Sequence, residues 1–127
     1  AQNAAGASLH QFLNAALDGE GASRPDTGLK VAFQTADGRT EVIWVAPFVR
    51  HEDGFTGLLA NEPMYMPNAA GELVTFAPDA IRDWYLLGED GRMYGSFTTR
   101  VMLARMSPAR ADAIRNYLSE APLPDTW

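Results

Sequence analysis

Cysteine is absent from the 127-residue chain, and histidine occurs only twice, as His10 and His51. The first absence removes disulfides, thiolate nucleophiles and thiolate metal sites together. The second means that a Ser–His–Asp relay would have to recruit one of those two rings. No apolar run approaches the ~20 residues of a membrane-spanning helix. Basic charge is also short: ten Lys and Arg stand against sixteen Asp and Glu, a formal net charge of −6. Nucleic-acid backbones and anionic bilayer surfaces both require a cationic footprint, so both are disfavoured as partners. A basic protein partner is electrostatically allowed. Freedom from cysteine fits reduced cytosolic and disulfide-free exported proteins equally. No signal peptide stands in the chain, and Ala1 in place of Met fits a leader removed ahead of it.

Chemical motifs are missing too. There is no G-x-S-x-G elbow, no S-x-x-K, no calcium loop and no paired-histidine helix. The string GEGASR lacks the third glycine and the preceding strand of a dinucleotide fingerprint. His51-Glu52-Asp53 is rich in ligand atoms but abuts a turn, where polar residues are expected to be solvated. No metal site, cofactor or catalytic residue is therefore assigned.

What is present is ordinary globular material, with 46% apolar and 20% charged residues. A chain of this length buries about two-thirds of its unfolded surface, enough for one core, and residues 1–127 are expected to form a single domain. Leu9, Phe12, Leu13, Ala16 and Leu17 recur at helical spacing, with Ser8 as the expected N-cap. After the loop GEGASRPDTG, Leu29–Thr35 alternates as a strand. Thr40–Val49 is apolar on both faces and is expected to be a covered central strand, with Pro47 weakening its end. Phe55–Ala60, Leu73–Phe76 and Ala80–Leu87 are further strands. Asp37-Gly38, Asp53-Gly54 and Asp90-Gly91 mark hairpin turns. Arg92–Met106 reads as one long strand. Ser107-Pro108 then starts a helix carrying Ala111, Ile114, Tyr117 and Leu118, stopped by Pro122 and Pro124. The pattern is α+β: a curved, mostly antiparallel sheet or small barrel of five to six strands, with N- and C-terminal helices.

Asp83 draws the eye. It alternates with Ile81, Tyr85 and Leu87, and a buried acid there needs a partner. The Asp90-Gly91 turn brings residues 94–99 opposite it, so Arg100 would pair by a diagonal reach. Such a pair either fixes sheet register or, beside Trp84 and Tyr85, forms an anion or peptide site. Trp44 and Trp84 otherwise read as core or rim packing. The loop NEPMYMPNAAGE, with Asn61, Glu62, Met64 and Tyr65, carries residue types enriched at protein interfaces.

The stretches EVIWV (41–45), DGFTGLLANEP (53–63), GELVTF (71–76), IRDW (81–84) and DGRMYGSFTTRV (90–101) resemble, in order and spacing, the YegJ-like bacterial family, domain of unknown function number twenty-three fourteen. The resemblance covers residues 30–103. AGASLHQFL resembles the end of that family's helical lead-in, so the chain is expected to be trimmed at its N-terminus. The resemblance implies a small α+β domain and no reaction. The family's Asp–Trp and Thr–Arg positions fall on Asp83, Trp84, Thr99 and Arg100.

The leading expectation is a non-catalytic protein-binding module of immunity or accessory type, with a basic partner. The alternative is a small-ligand-binding or enzymatic domain with a cleft around Asp83, Trp84, Arg100 and Glu62. Oligomeric state is not legible.

Overall fold

A computed structural model describes residues 2–127 of the chain. The Ala-rich opening forms helix α1 (Gln2–Ala16), which buries Ala5, Ser8, Phe12, Leu13 and Ala16 along one stripe. Six antiparallel strands follow: β1 (Thr27–Gln34), β2 (Thr40–His51), β3 (Gly54–Leu59), β4 (Leu73–Phe76), β5 (Ile81–Leu87) and β6 (Met93–Gly95). They form one open sheet in the order β4-β3-β2-β1-β5-β6, flanked by the N-terminal helix and by C-terminal helices α2 (Phe97–Met102) and α3 (Pro108–Arg115). The α+β pattern holds, as an open sheet and not a barrel.

Register assigns the faces. Leu29 lies between Val45 and Trp84, and Val31 opposite Ile43, on the inner face under α1. There Trp84 stacks on Phe12 at 4.7 Å, and the core continues through Phe48, Phe55 and Phe76. Lys30 lies between Trp44 and Asp83 on the outer face. The three Asp-Gly turns form as expected, each with its glycine at positive φ. Glycine reaches that region without the Cβ penalty.

Several expectations need correction. Ser8 is not an N-cap: the Ala-rich residues before it extend the helix to Gln2. Its hydroxyl donates to Ala4 O at 2.9 Å and accepts from Trp84 Nε1 at 3.1 Å. Asp83 does not share a face with Ile81. A register shift between Lys30 and Val31 sets Val31 opposite Ile81, which packs on the inner core while Asp83 stays outside. Strand β2 continues through Pro47 to His51, with the irregularity in its pairing falling between Val45 and Phe48. Bulges are where a sheet accepts proline. Its outer face is only partly covered, with Val42 exposed.

The long strand Arg92–Met106 is the largest correction. Gly95 (φ 73°) and Ser96 (φ 51°) are consecutive left-handed residues that turn the chain out of the sheet. Helix α2 and a 3₁₀ turn (Leu103–Arg105) follow. The alternation of Phe97, Thr99, Val101 and Leu103 imitates a strand, but tertiary context overrides such propensity. Ser107 does cap α3, accepting from Arg110 N–H at 3.4 Å. That helix ends at Arg115, so Tyr117 and Leu118 lie beyond it. Leu118 bridges in parallel to Met93 at the sheet edge.

Candidate functional site

Asp83 is fully buried, yet not in the apolar core. It lies on the outer face beneath the start of α2. Its Oδ1 accepts from Trp84 N–H (2.8 Å) and Phe97 N–H (3.1 Å). Its Oδ2 accepts from Thr98 N–H (2.9 Å) and Thr98 Oγ1–H (2.8 Å). Thr98 Oγ1 in turn accepts from Lys30 Nζ at 3.0 Å. A strand carboxylate thus supplies the acceptors that the first amides of a helix lack. Residues 97 and 98 fall within the stretch expected opposite Asp83, but they meet it as a helix start.

The pairing of Arg100 with Asp83 expected from the sequence does not form. Arg100 points to the opposite side of α2's beginning. Its Nε donates to Gly95 O (2.7 Å), Nη1 to Ser119 O (2.8 Å), and Nη2 to Met93 O (3.1 Å) and Ser119 Oγ (2.9 Å). The guanidinium fork fastens the end of β6 to the C-terminal segment. Burial pulls its pKa below the usual arginine value, while the negative charge of Asp83 acts in the other direction. Trp84 is 0% exposed, packed by Phe12, Phe97 and Trp127, so its ring offers no open surface. Asp83, Trp84, Arg100 and Glu62 therefore do not line one cleft. Asp83 is enclosed, Trp84 faces inward, Arg100 opens toward the C-terminal segment, and Glu62 is exposed on its loop.

A groove of about 340 Å³ lies instead on the outer face, lined by Trp44, Asn61, Tyr85, Met93, Thr99 and Tyr117, among others. Of the residues singled out in the sequence as site candidates or matched family positions, this groove gathers Asn61, Tyr85 and Thr99. The Tyr85 ring meets Trp44 edge-on at 5.1 Å and crosses Gly28, where an added Cβ would fall 2.3 Å from Tyr85 Cε1. Lys30 Nζ sits 5.3 Å from the Trp44 ring centre. Burial, then the charge of Asp26, raises the Tyr85 phenol above its ordinary value. Gly28 was missed in the sequence, Tyr117 was read only as part of a helix stripe, and Tyr85 was named beside Trp84 and Arg100, which do not line this groove. A glycine beginning a strand was the available signal for the first.

The loop between β3 and β4 is held in place. Glu41 accepts from Met64 N–H (2.6 Å) and Tyr65 N–H (2.9 Å), and the Arg39 guanidinium lies 4.4 Å from the Tyr65 ring centre. Met66 packs on the core while Met64 stays 80% exposed. His51, Glu52 and Asp53 are exposed at the β2–β3 turn, with His51 Nε2 2.5 Å from Thr56 Oγ1. Among the described residues no group of three or more carboxylates and histidines is arranged to hold a metal ion. Among them, too, no helix is long and apolar enough to cross a membrane.

No curated protein matches the chain, and no solved structure does. A family model described as an uncharacterized protein conserved in bacteria (DUF2314) matches residues 1–118, reaching from α1 past α3 and so beyond the stretch in which the resemblance was first visible. The chain belongs to this uncharacterised bacterial family.

Proposed function

We propose that the chain is a non-catalytic protein-binding module whose contact surface is the loop 61–71 with the adjoining outer face of the sheet. One observation carries this reading: Glu41 pins the backbone of Met64 and Tyr65 in a shape that leaves both side chains in water. Methionine and tyrosine are enriched at interfaces, and a loop already ordered loses little entropy when a partner docks. Exposed Glu62 beside them and the net charge of −6 favour a basic partner.

The test compares capture by the tagged chain with capture by its Met64→Asp variant, from lysate of a bacterium carrying the family. A stoichiometric protein held by the first and lost from the second supports the module. Equal retention by both, or retention of nothing, removes this loop as the interface.

The aromatic floor of the outer groove favours a second reading, a small uncharged ligand laid across Trp44 and Tyr85. Saturable quenching of tryptophan fluorescence in a ligand screen, abolished by Thr99→Arg, would support it over the first.

A further inference from the structure

A second hollow, of about 490 Å³, lies between α2, α3 and the C-terminal segment, and it differs in character from the groove. Its walls carry Arg92, Arg100 and Arg115 against a single acid, Glu120. Three of the nine arginines of an acidic protein thus converge on one cavity. Leu103, Leu118 and Pro122 supply the rest of its wall with Ser119.

The state of Arg100 is the informative detail. Four of its five N–H donors are taken by Gly95 O, Met93 O, Ser119 O and Ser119 Oγ, leaving one on Nη1. All four acceptors are neutral. Among the described residues the ion pairs are Arg39–Asp37 and Arg115–Asp112, so no carboxylate stands within 4.0 Å of Arg100. A half-buried guanidinium without a counter-ion is costly, and a held one is pre-organised for an incoming oxyanion. Arg92 adds a partly committed group, with Nη1 donating to Leu118 O at 3.2 Å. Arg115 adds a third, its side chain 56% exposed and its Nη1 paired with Asp112 Oδ1 at 3.2 Å.

We propose that this hollow is a binding site for an organic phosphate monoester. With Asp112, which pairs with Arg115, counted beside Glu120, the formal excess is one positive charge. Arg92 and Arg100 are the wall guanidinium groups with no carboxylate within 4.0 Å among the described residues. The three terminal oxygens of a phosphate monoester can engage both, where a carboxylate offers only two. The cavity is larger than a bare phosphate ion, whose volume is of the order of a few water molecules. The Leu103, Leu118 and Pro122 wall then receives the organic substituent. Arginine suits this task because its N–H groups make charge-assisted hydrogen bonds to phosphate oxygens, here through the one free Nη1–H of Arg100 and the uncommitted donors of Arg92. The site is separate from loop 61–71, and its failure would leave the protein-binding reading untouched.

The test is an amide chemical-shift titration of the whole chain with phenyl phosphate at constant ionic strength, followed at Ser119 and Glu120. Saturable shifts are expected. Arg115→Gln and Arg92→Gln should each weaken binding about tenfold, the loss of one charge-assisted hydrogen bond. Glu120→Gln removes the repelling carboxylate from an exposed position and should tighten binding about threefold. Benzoate, of similar shape but singly charged, should bind at least about tenfold more weakly. Absence of saturation, equal affinity for benzoate, or affinities unchanged in all three variants would overturn the site.

Discussion

Asp83→Ala should cost the protein about a third of an ordinary folding free energy. The carboxylate accepts four hydrogen bonds. Removing it strands four donors, of which Thr98 N–H and Thr98 Oγ1–H are only part-buried and within reach of water. The Trp84 and Phe97 amides are buried, and each unsatisfied buried donor costs ~1–3 kcal/mol, which puts the loss at about 4 kcal/mol. For 127 residues, at ~2.1 cal/mol/K per residue, this lowers the melting temperature by about 15 °C. Asp83→Asn keeps one oxygen for the Oδ1 pair and turns an NH₂ toward Thr98, so about half of that loss is expected. Calorimetry gives the melting temperatures. Hydrogen exchange at Arg100 N–H, bonded to Ser96 O at 3.1 Å, reports on α2 itself. A melting temperature within about 2 °C of the parent, less than 1 kcal/mol, would refute the capping role. So would a large loss that leaves α2 exchange unchanged.

Two further predictions rest on independent features. Gly95→Ala places a Cβ 2.4 Å from Trp84 O and 2.5 Å from its ring at φ 73°, whereas Gly38→Ala meets nothing within 4 Å at φ 83°. The first should cost about 3 kcal/mol and the second about 1, since both share the left-handed penalty but only one adds overpacking; equal urea midpoints would contradict the packing at Trp84. The Tyr85 phenol is raised by burial and by Asp26. A raised folded pKa means that its stabilisation is complete below the unfolded value, about pH 10, and is lost as pH climbs through the folded value. Ultraviolet difference spectroscopy should show a late-ionising tyrosine that Tyr85→Phe removes. No late phase, or a late phase that persists in Tyr85→Phe, would sink it.

The parts of this fold that could be read in the sequence are those fixed by nearest neighbours. Each Asp-Gly turn was legible because a tight connection, of two residues between β2 and β3 and of five in the other two, needs positive φ at its glycine. The strands up to Leu87 followed from alternation, as in Leu29–Thr35, or from an apolar run between turn signals, as in Thr40–Val49. Arg100 was visible as a notable residue, but its partners are backbone carbonyls of Met93, Gly95 and Ser119. Carbonyls belong to every residue and leave no mark in a residue pattern, so an acid was the natural guess for its partner. Asp83 was correctly marked as an acid needing satisfaction. Its acceptors serve amides of a helix that the β-branched run Phe97–Val101 disguised. The register shift at Lys30/Val31 moved Ile81 inward; a bulge is a tertiary compromise that strict alternation cannot register. The arginine hollow joins residues 92, 100 and 115 through α3 and the segment after it, whose path a helix running on to Pro122 would have hidden.

Trp127 rests 5.3 Å from Trp84, ring centre to ring centre. Two of the three tryptophans are therefore near neighbours, while Trp44 lies on the other face of the sheet against Tyr85. Coupling between indoles this close adds to the near-ultraviolet circular dichroism that each gives singly. That signal is an optical gauge of whether the C-terminal segment is seated, readable without any label and independent of the backbone signal from the sheet.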